Sequence, residues 1–185
     1  KMDISGRDLR ECILRIVDRA SSDLNHAGLP LLGIGVGLSG VIDPDLGIIK
    51  YSIPLKLKGE FNLYEAMDGD LNVPFYVEND ANACAWGELA FHRKRDLQDF
   101  VFVLVELREI TDPAVMHERT AVGLGIAVGG KVHYGYERSA GEFRSVMRGP
   151  EDKGQSSLSS EEAFRLTEDR ELMHRFLTEL AQHLA

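Results

Sequence analysis

The chain has 185 residues, 44% of them hydrophobic, which is enough to close one ordinary core or two small lobes. Its net charge of −9 argues against a surface that grips a phosphate backbone, so any DNA contact belongs to a region absent from this chain. No apolar run approaches the ~20 residues of a membrane helix and no charged-then-apolar leader opens the chain, which predicts a soluble globular protein, cytoplasmic by default and without a membrane partner.

Ser5, with Asp8 three residues on, has the spacing of a helix start. Leu9, Cys12, Ile13, Ile16, Val17, Ala20 and Leu24 then recur at helical spacing until Gly28 and Pro30 stop the run, which predicts an amphipathic helix. Residues 31–38 read as an apolar strand studded with glycines, buried on both faces and closely approached by backbone at its end. Asp43, Pro44, Asp45, Leu46 and Gly47 make a turn, and residues 48–53 a short return strand. A short helix over 62–67, a buried strand over 75–77 and an Ala-rich helix over 81–92 complete an order that suits a parallel sheet layer. Arg93, Lys94, Arg95 and Asp96 form a charged hinge candidate, or simply a solvated helix end.

Beyond this point the pattern changes. Residues 100–107, 122–128 and 131–136 read as three antiparallel strands opening a second lobe, with Gly129 and Gly130 as a tight hairpin turn. Residues 108–119 are polar and broken by Pro113, a long connection, and 149–160 form a loop. Ser159 and Glu162 have capping-box spacing, and Leu172, Met173, Phe176, Leu177, Leu180, Ala181 and Leu184 form a second apolar stripe that needs either its own core or a partner surface. Cys12 and Cys84 read as reduced packing residues, and the six histidines show no metal spacing.

The chemistry concentrates at Glu78-Asn79-Asp80-Ala81-Asn82, where the buried strand hands over to the Ala-rich helix. Open α/β sheets bind ligands at such strand ends. Asn79 can donate and accept, and ionised Asp80 accepts at two oxygens, a pair suited to a hydroxyl-rich ligand. Asp80 could also take a proton from an attacking hydroxyl. The plain alternative makes Asp80 the N-cap of the helix, with Asn79 in the turn before it.

Four segments in order resemble the ROK family of sugar-responsive repressors and sugar kinases. They are Gly33-Ile34-Gly35-Val36-Gly37-Leu38-Ser39-Gly40-Val41-Ile42-Asp43, then Glu78-Asn79-Asp80-Ala81-Asn82, then Gly123-Leu124-Gly125-Ile126-Ala127-Val128-Gly129-Gly130-Lys131, then Ala140-Gly141-Glu142-Phe143-Arg144. The resemblance implies an α/β chain of the actin-like, ribonuclease H-like ATPase fold. Residues 1–95 would be the remainder of the first lobe and 96–185 the start of the second. It implies a homo-oligomer that binds a monosaccharide or sugar derivative through Gly40, Asn79, Asp80 and Glu142. The three strands and Asp-x-Gly-x-Thr loop that should precede the first helix have no counterpart before Ile4, so the resemblance implies a fragment or a severely reduced homologue.

Two departures shape the expected function. The family's Gly-Thr-Gly-x-Gly phosphate loop reads Arg119-Thr120-Ala121-Val122-Gly123 here, and Arg119 and Ala121 replace glycines whose bareness lets backbone amides cradle phosphate. Arg119 could instead neutralise an anion or simply be solvated. The zinc module needs the histidine of Gly-Glu-Ile-Gly-His and a cysteine run, whereas Arg144 ends the motif here and no cysteine follows, so no zinc is expected. Arg144 either pairs locally with Glu142 or selects an acidic or phosphorylated sugar through a bidentate contact.

The expected function is therefore the sugar-sensing effector domain of a repressor, without a cofactor. A kinase is the first alternative, with Asp80 as catalytic base and ATP near Thr120, Gly123 and Gly125. A non-catalytic interaction domain using the 172–184 stripe is the second.

Overall fold

The computed structural model describes residues 6–91, 97–110 and 113–184. The expected helix start at Ser5 and the charged cluster of Arg93, Lys94, Arg95 and Asp96 lie outside the described residues. Helix α1 (Gly6–His26) stops where Gly28 takes a φ of 69°. Leu9 and Ile13 are buried from it and Leu14 and Val17 pack alongside, but Ile16 is 62% exposed, so only part of the expected stripe reaches the core. A bidentate ion pair fixes α1: Arg10 Nε and Nη2 donate to Asp70 at 2.8 and 2.6 Å, and Nε also reaches the Ala66 carbonyl at 2.9 Å.

Strand β1 (Ile34–Leu38) pairs in parallel with β5 (Phe75–Asn79), with Ile34 opposite Phe75 and Leu38 opposite Asn79. The glycine-studded strand is shorter than residues 31–38 and is not buried on both faces. Its burial alternates: Ile34, Val36 and Leu38 are half-buried, the last two against the first core, and Gly35 and Gly37 are exposed. Strands β2 (Val41–Asp43), β3 (Ile48–Tyr51) and β4 (Phe61–Asn62) form an antiparallel sheet with a register irregularity at Val41 and Ile42. The return strand ends at Tyr51. Asn62 then caps α2 (Leu63–Ala66) by accepting from the Glu65 amide at 3.1 Å. Ile42, Ile49, Leu63, Met67 and Val77 close this first core with Leu9 and Ile13.

A second antiparallel sheet orders β6 (Phe100–Leu107), β7 (Thr120–Val128) and β8 (Lys131–Val132). The turn between β7 and β8 has Gly129 and Gly130 at φ 57° and 74°, the left-handed pair that a two-residue hairpin requires. The third strand was expected to run to residue 136 but stops after two residues. Gly135, Glu137 and Arg138 all have positive φ, which no strand can carry, and Tyr136–Arg138 forms a 3-10 turn instead. A further 3-10 turn, Pro113–Glu118, lies in the connection between β6 and β7.

Helix α3 (Asp80–Phe91) begins directly after β5 and packs against β6, β7 and β8 as well as β1 and β5, so one element serves the parallel sheet and the second antiparallel sheet. Its alanines permit this: Ala81 and Ala85 are fully buried. At the end of the chain the capping box forms as expected, with Ser159 and Glu162 satisfying each other's backbone amides at the start of α4 (Ser160–Arg165). The stripe of α5 (Arg170–Leu184) is spent mostly inside, where Phe176 and Leu180 join Val122, Phe143, Leu158, Ala163 and Leu166 in the second core, while Leu177 stays exposed. Among the described residues, no helix is long and apolar enough to cross a membrane.

Candidate functional site

The junction of β5 and α3 is built by Asn79. Its side-chain oxygen accepts from the Asn82 amide at 3.0 Å, and its Nδ2 donates to the Gly40 carbonyl at 3.0 Å. The helix cap is therefore Asn79 and not Asp80, because the preceding residue still has a side chain in reach of the third helical amide. This leaves Asp80 at the first helical position, near the positive end of the helix dipole. One of its oxygens accepts from the Ala81 amide at 2.9 Å; the other has no protein partner among the described residues.

The loop facing this junction is equally fixed. Ser52 is completely buried, and its hydroxyl donates to the Ser39 carbonyl at 2.6 Å, so the β2–β3 hairpin holds Ser39 and Gly40 in place. On the opposite side, Gly141 has a φ of 92°, and a Cβ there would fall 1.9 Å from the Leu124 carbonyl oxygen. Only glycine permits that approach. It lets Leu124 donate to the Gly141 carbonyl at 3.0 Å and sets Glu142 in a bridge opposite Gly123 of β7.

Between these walls lies a cavity of about 420 Å³. Gly40, Asn79, Asp80, Thr120, Gly123, Glu142 and Arg144 all line it, bringing together residues spread over more than a hundred positions. Gly125 does not. A Cβ on Gly125 would meet the Ala81 carbonyl oxygen at 2.3 Å and the Ala85 Cβ at 2.8 Å, so that glycine serves the packing of α3 on β7. Asp80 and Glu142 share the cavity as two carboxylates. Desolvation, and then the Asp80 charge, raise the Glu142 pKa above its ordinary value. Thr120 is buried, and its hydroxyl has no hydrogen-bond partner among the described residues.

Arg119 is not part of this cavity. Its guanidinium lies 4.6 Å from the centre of the Phe164 ring and donates to the Ile110 carbonyl at 3.4 Å, so this half-buried arginine is turned away from any anion in the cavity. Ala121 and Val122 do line the cavity. Counting through the Gly-Glu-x-x-x motif puts Ser145, not Arg144, at its fifth position; Ser145 is buried and accepts from the Met147 amide at 3.0 Å. Arg144 stands where the motif has its second glycine.

Sequence reasoning missed several cavity residues, among them Arg108, His117, Glu118 and Lys153. Arg108 is tied to Glu106 at 2.5 and 2.7 Å and reaches Ser39 Oγ at 3.5 Å. No local pattern marks these positions, because they enter through a connection and a loop whose placement depends on tertiary contacts.

The model of the ROK family matches residues 2–151. Glucokinase of Streptomyces coelicolor is 26% identical over 138 residues, covering 74% of this chain and 39% of that protein. The xylose repressor of Bacillus subtilis is 22% identical over 134 residues, covering 72% of this chain and 31% of the repressor. The chain thus spans less than half the length of the curated relatives it matches. Among solved structures, a ROK family transcriptional regulator, a homolog of the E. coli MLC protein, superposes with a TM-score of 0.59 at 22% identity over 80% of this chain and 34% of that one. A ROK family glucokinase from Streptomyces griseus, in complex with glucose and AMPPNP, gives a TM-score of 0.54 at 25% identity over 76% and 40%. The fold is the α/β, actin-like ATPase fold of these proteins.

Proposed function

We propose, from the premise that this chain belongs to the ROK family, that it carries a monosaccharide site at the junction of β5 and α3 facing β7 and serves as the sugar-sensing part of a transcriptional regulator. The observation that carries this reading is the pair of carboxylates, Asp80 and Glu142, that line one cavity with acceptor oxygens uncommitted to protein donors among the described residues. A hydroxyl-rich ligand supplies the donors they lack.

Sensing is favoured over catalysis by the phosphate-loop positions. Ala121 puts a Cβ on the cavity wall, and Arg119 is folded against Phe164. The sugar would shift the parent protein between DNA-bound and released states by its unequal affinity for the two. DNA contact and homo-oligomer assembly would rest with the parent protein. A sugar kinase is the second reading, favoured by the free Asp80 oxygen, which suits a general base.

A thermal-shift titration with monosaccharides, followed by an assay for ADP release, tests both. A ligand at ~100 times its dissociation constant stabilises by about 2.7 kcal/mol. The sensor reading expects a shift that is lost in Asp80→Ala, with no sugar-dependent ADP release. Sugar-dependent ADP release selects the kinase, and no shift with any sugar removes both.

A further inference from the structure

The cavity holds charges of both signs, and their pairing is uneven. Arg108 is spent on Glu106. Arg144 and Lys153 are both exposed, both line the cavity, and neither has a hydrogen-bond or ion-pair partner among the described residues. The local pairing of Arg144 with Glu142, the plain alternative from sequence, does not form, although only one residue separates them.

The two cations are held on one wall. Ser145 donates its amide to the Gln155 carbonyl at 2.8 Å, joining the segment that bears Arg144 to the loop that bears Lys153. The Gln155 side chain locks the junction. Its oxygen accepts from the Val122 amide at 2.8 Å, and its nitrogen donates to the carbonyls of Val122 and Phe143 at 2.9 and 3.1 Å. Val122 belongs to β7, so the basic wall is anchored to the same strand that positions Glu142.

Asp80 and Glu142 thus share one cavity with Arg144 and Lys153, and among the described residues neither cation pairs with either carboxylate. A neutral sugar would satisfy the carboxylates and leave the cations idle. Building on the sugar-site reading above, we propose that the ligand is an anionic monosaccharide whose phosphate or carboxylate is held by Arg144 and Lys153 while Asp80 and Glu142 accept its hydroxyls. Arginine's planar fork matches both anions in bidentate geometry, and lysine adds a point charge.

Calorimetric titration of the chain with glucose, glucose 6-phosphate, glucuronate, inorganic phosphate and ATP tests this. One anionic sugar should bind roughly tenfold or more tightly than glucose, as expected for a charge-assisted contact, with the preference shrinking at high salt. Arg144→Ala should bring the ratio close to one, Lys153→Ala should reduce it, and Asp80→Ala should weaken every sugar. The arms separate a phosphate from a carboxylate ligand.

Equal affinity for neutral and anionic sugars, or a preference that survives both basic-residue variants, overturns this inference and leaves the sugar site standing. Binding of phosphate, ATP and phosphosugar alike, indifferent to Asp80→Ala, overturns it as anion capture alone. If no sugar binds at all, the sugar-site reading falls and takes this one with it.

Discussion

The Tyr134 hydroxyl donates to Glu78 at 2.6 Å while accepting from the Trp86 indole N–H at 3.0 Å. One phenol therefore ties the end of β5 and the middle of α3 to the segment that follows β8. Arg138 reinforces the same seam by pairing with Asp43 and Asp45 in the β2–β3 turn, and Lys50 donates to the Glu137 carbonyl at 3.4 Å. The phenol's pKa is pushed up to about 12, first by burial and then by the bond to Glu78, which needs the proton in place.

Tyr134→Phe should cost about 0.5–1.5 kcal/mol, the net worth of an ordinary hydrogen bond, because water can reach the exposed Trp86 donor it leaves behind. Urea denaturation measures it. The folded pKa lies above the ordinary value of 10, so the phenol's contribution is complete below about pH 10 and disappears as pH rises through about 12. The variant should lack that alkaline loss; an unchanged alkaline limb would show that the seam does not depend on this proton.

Glu142→Gln should separate stability from binding. The raised pKa means that Glu142 deprotonates more readily in the unfolded chain, so stability falls as pH rises from about 4.5 through the folded pKa. Removing the charge removes both the desolvation cost and the repulsion from Asp80. The variant should melt higher than the parent at neutral pH and with a flatter acid-side profile, yet bind sugar more weakly. A lower melting temperature at pH 7 would refute the crowding of the two carboxylates.

Adjacent substitutions at the helix start should differ in kind. Asn79→Ala loses the cap to Asn82 and the tie to Gly40, and should cost about 1–2 kcal/mol of stability. Asp80→Asn keeps the shape and should leave stability within about 0.5 kcal/mol, typical of changes away from the core. Its sugar affinity should drop roughly 10- to 100-fold, the range expected for hydrogen bonds to a charged group. Paired melting and titration curves separate the two effects.

Two glycines near α3 make a second contrast. Gly125→Ala drives a methyl into the Ala81 carbonyl and Ala85, and should cost roughly 3 kcal/mol as the helix is pushed off β7. Gly87 lies inside α3, and a Cβ there meets nothing within 4 Å beyond the helix itself, so Gly87→Ala should stabilise by about 0.5–1 kcal/mol. Chemical denaturation of both variants would show whether close packing, rather than phosphate contact, explains Gly125.

What the sequence made legible was local. The capping box at Ser159, the two-glycine turn after β7 and the Asn79-Asp80 junction each follow from neighbours within a few residues. The missed features span long separations. Glu179 is only 3% exposed because it accepts from the amide and hydroxyl of Ser157 at 2.9 and 2.6 Å, and nothing near it in the chain announces that. Gln155 grips Val122 across 33 positions. Gly125 shows a different difficulty: a glycine bared for a phosphate and one bared for a helix read alike until the neighbouring element is placed.

Gly123 carries Glu142 as its bridge partner, and Asp80 opens the helix that rests on the same strand. The distance between the two acidic groups is thereby a dimension of the scaffold, like the span of a caliper whose jaws share one beam. Sequence drift at the rim can change which substituent a guest carries, but resizing the grip itself would require moving α3 against β7, and the alanines and glycines at that contact leave no slack for it.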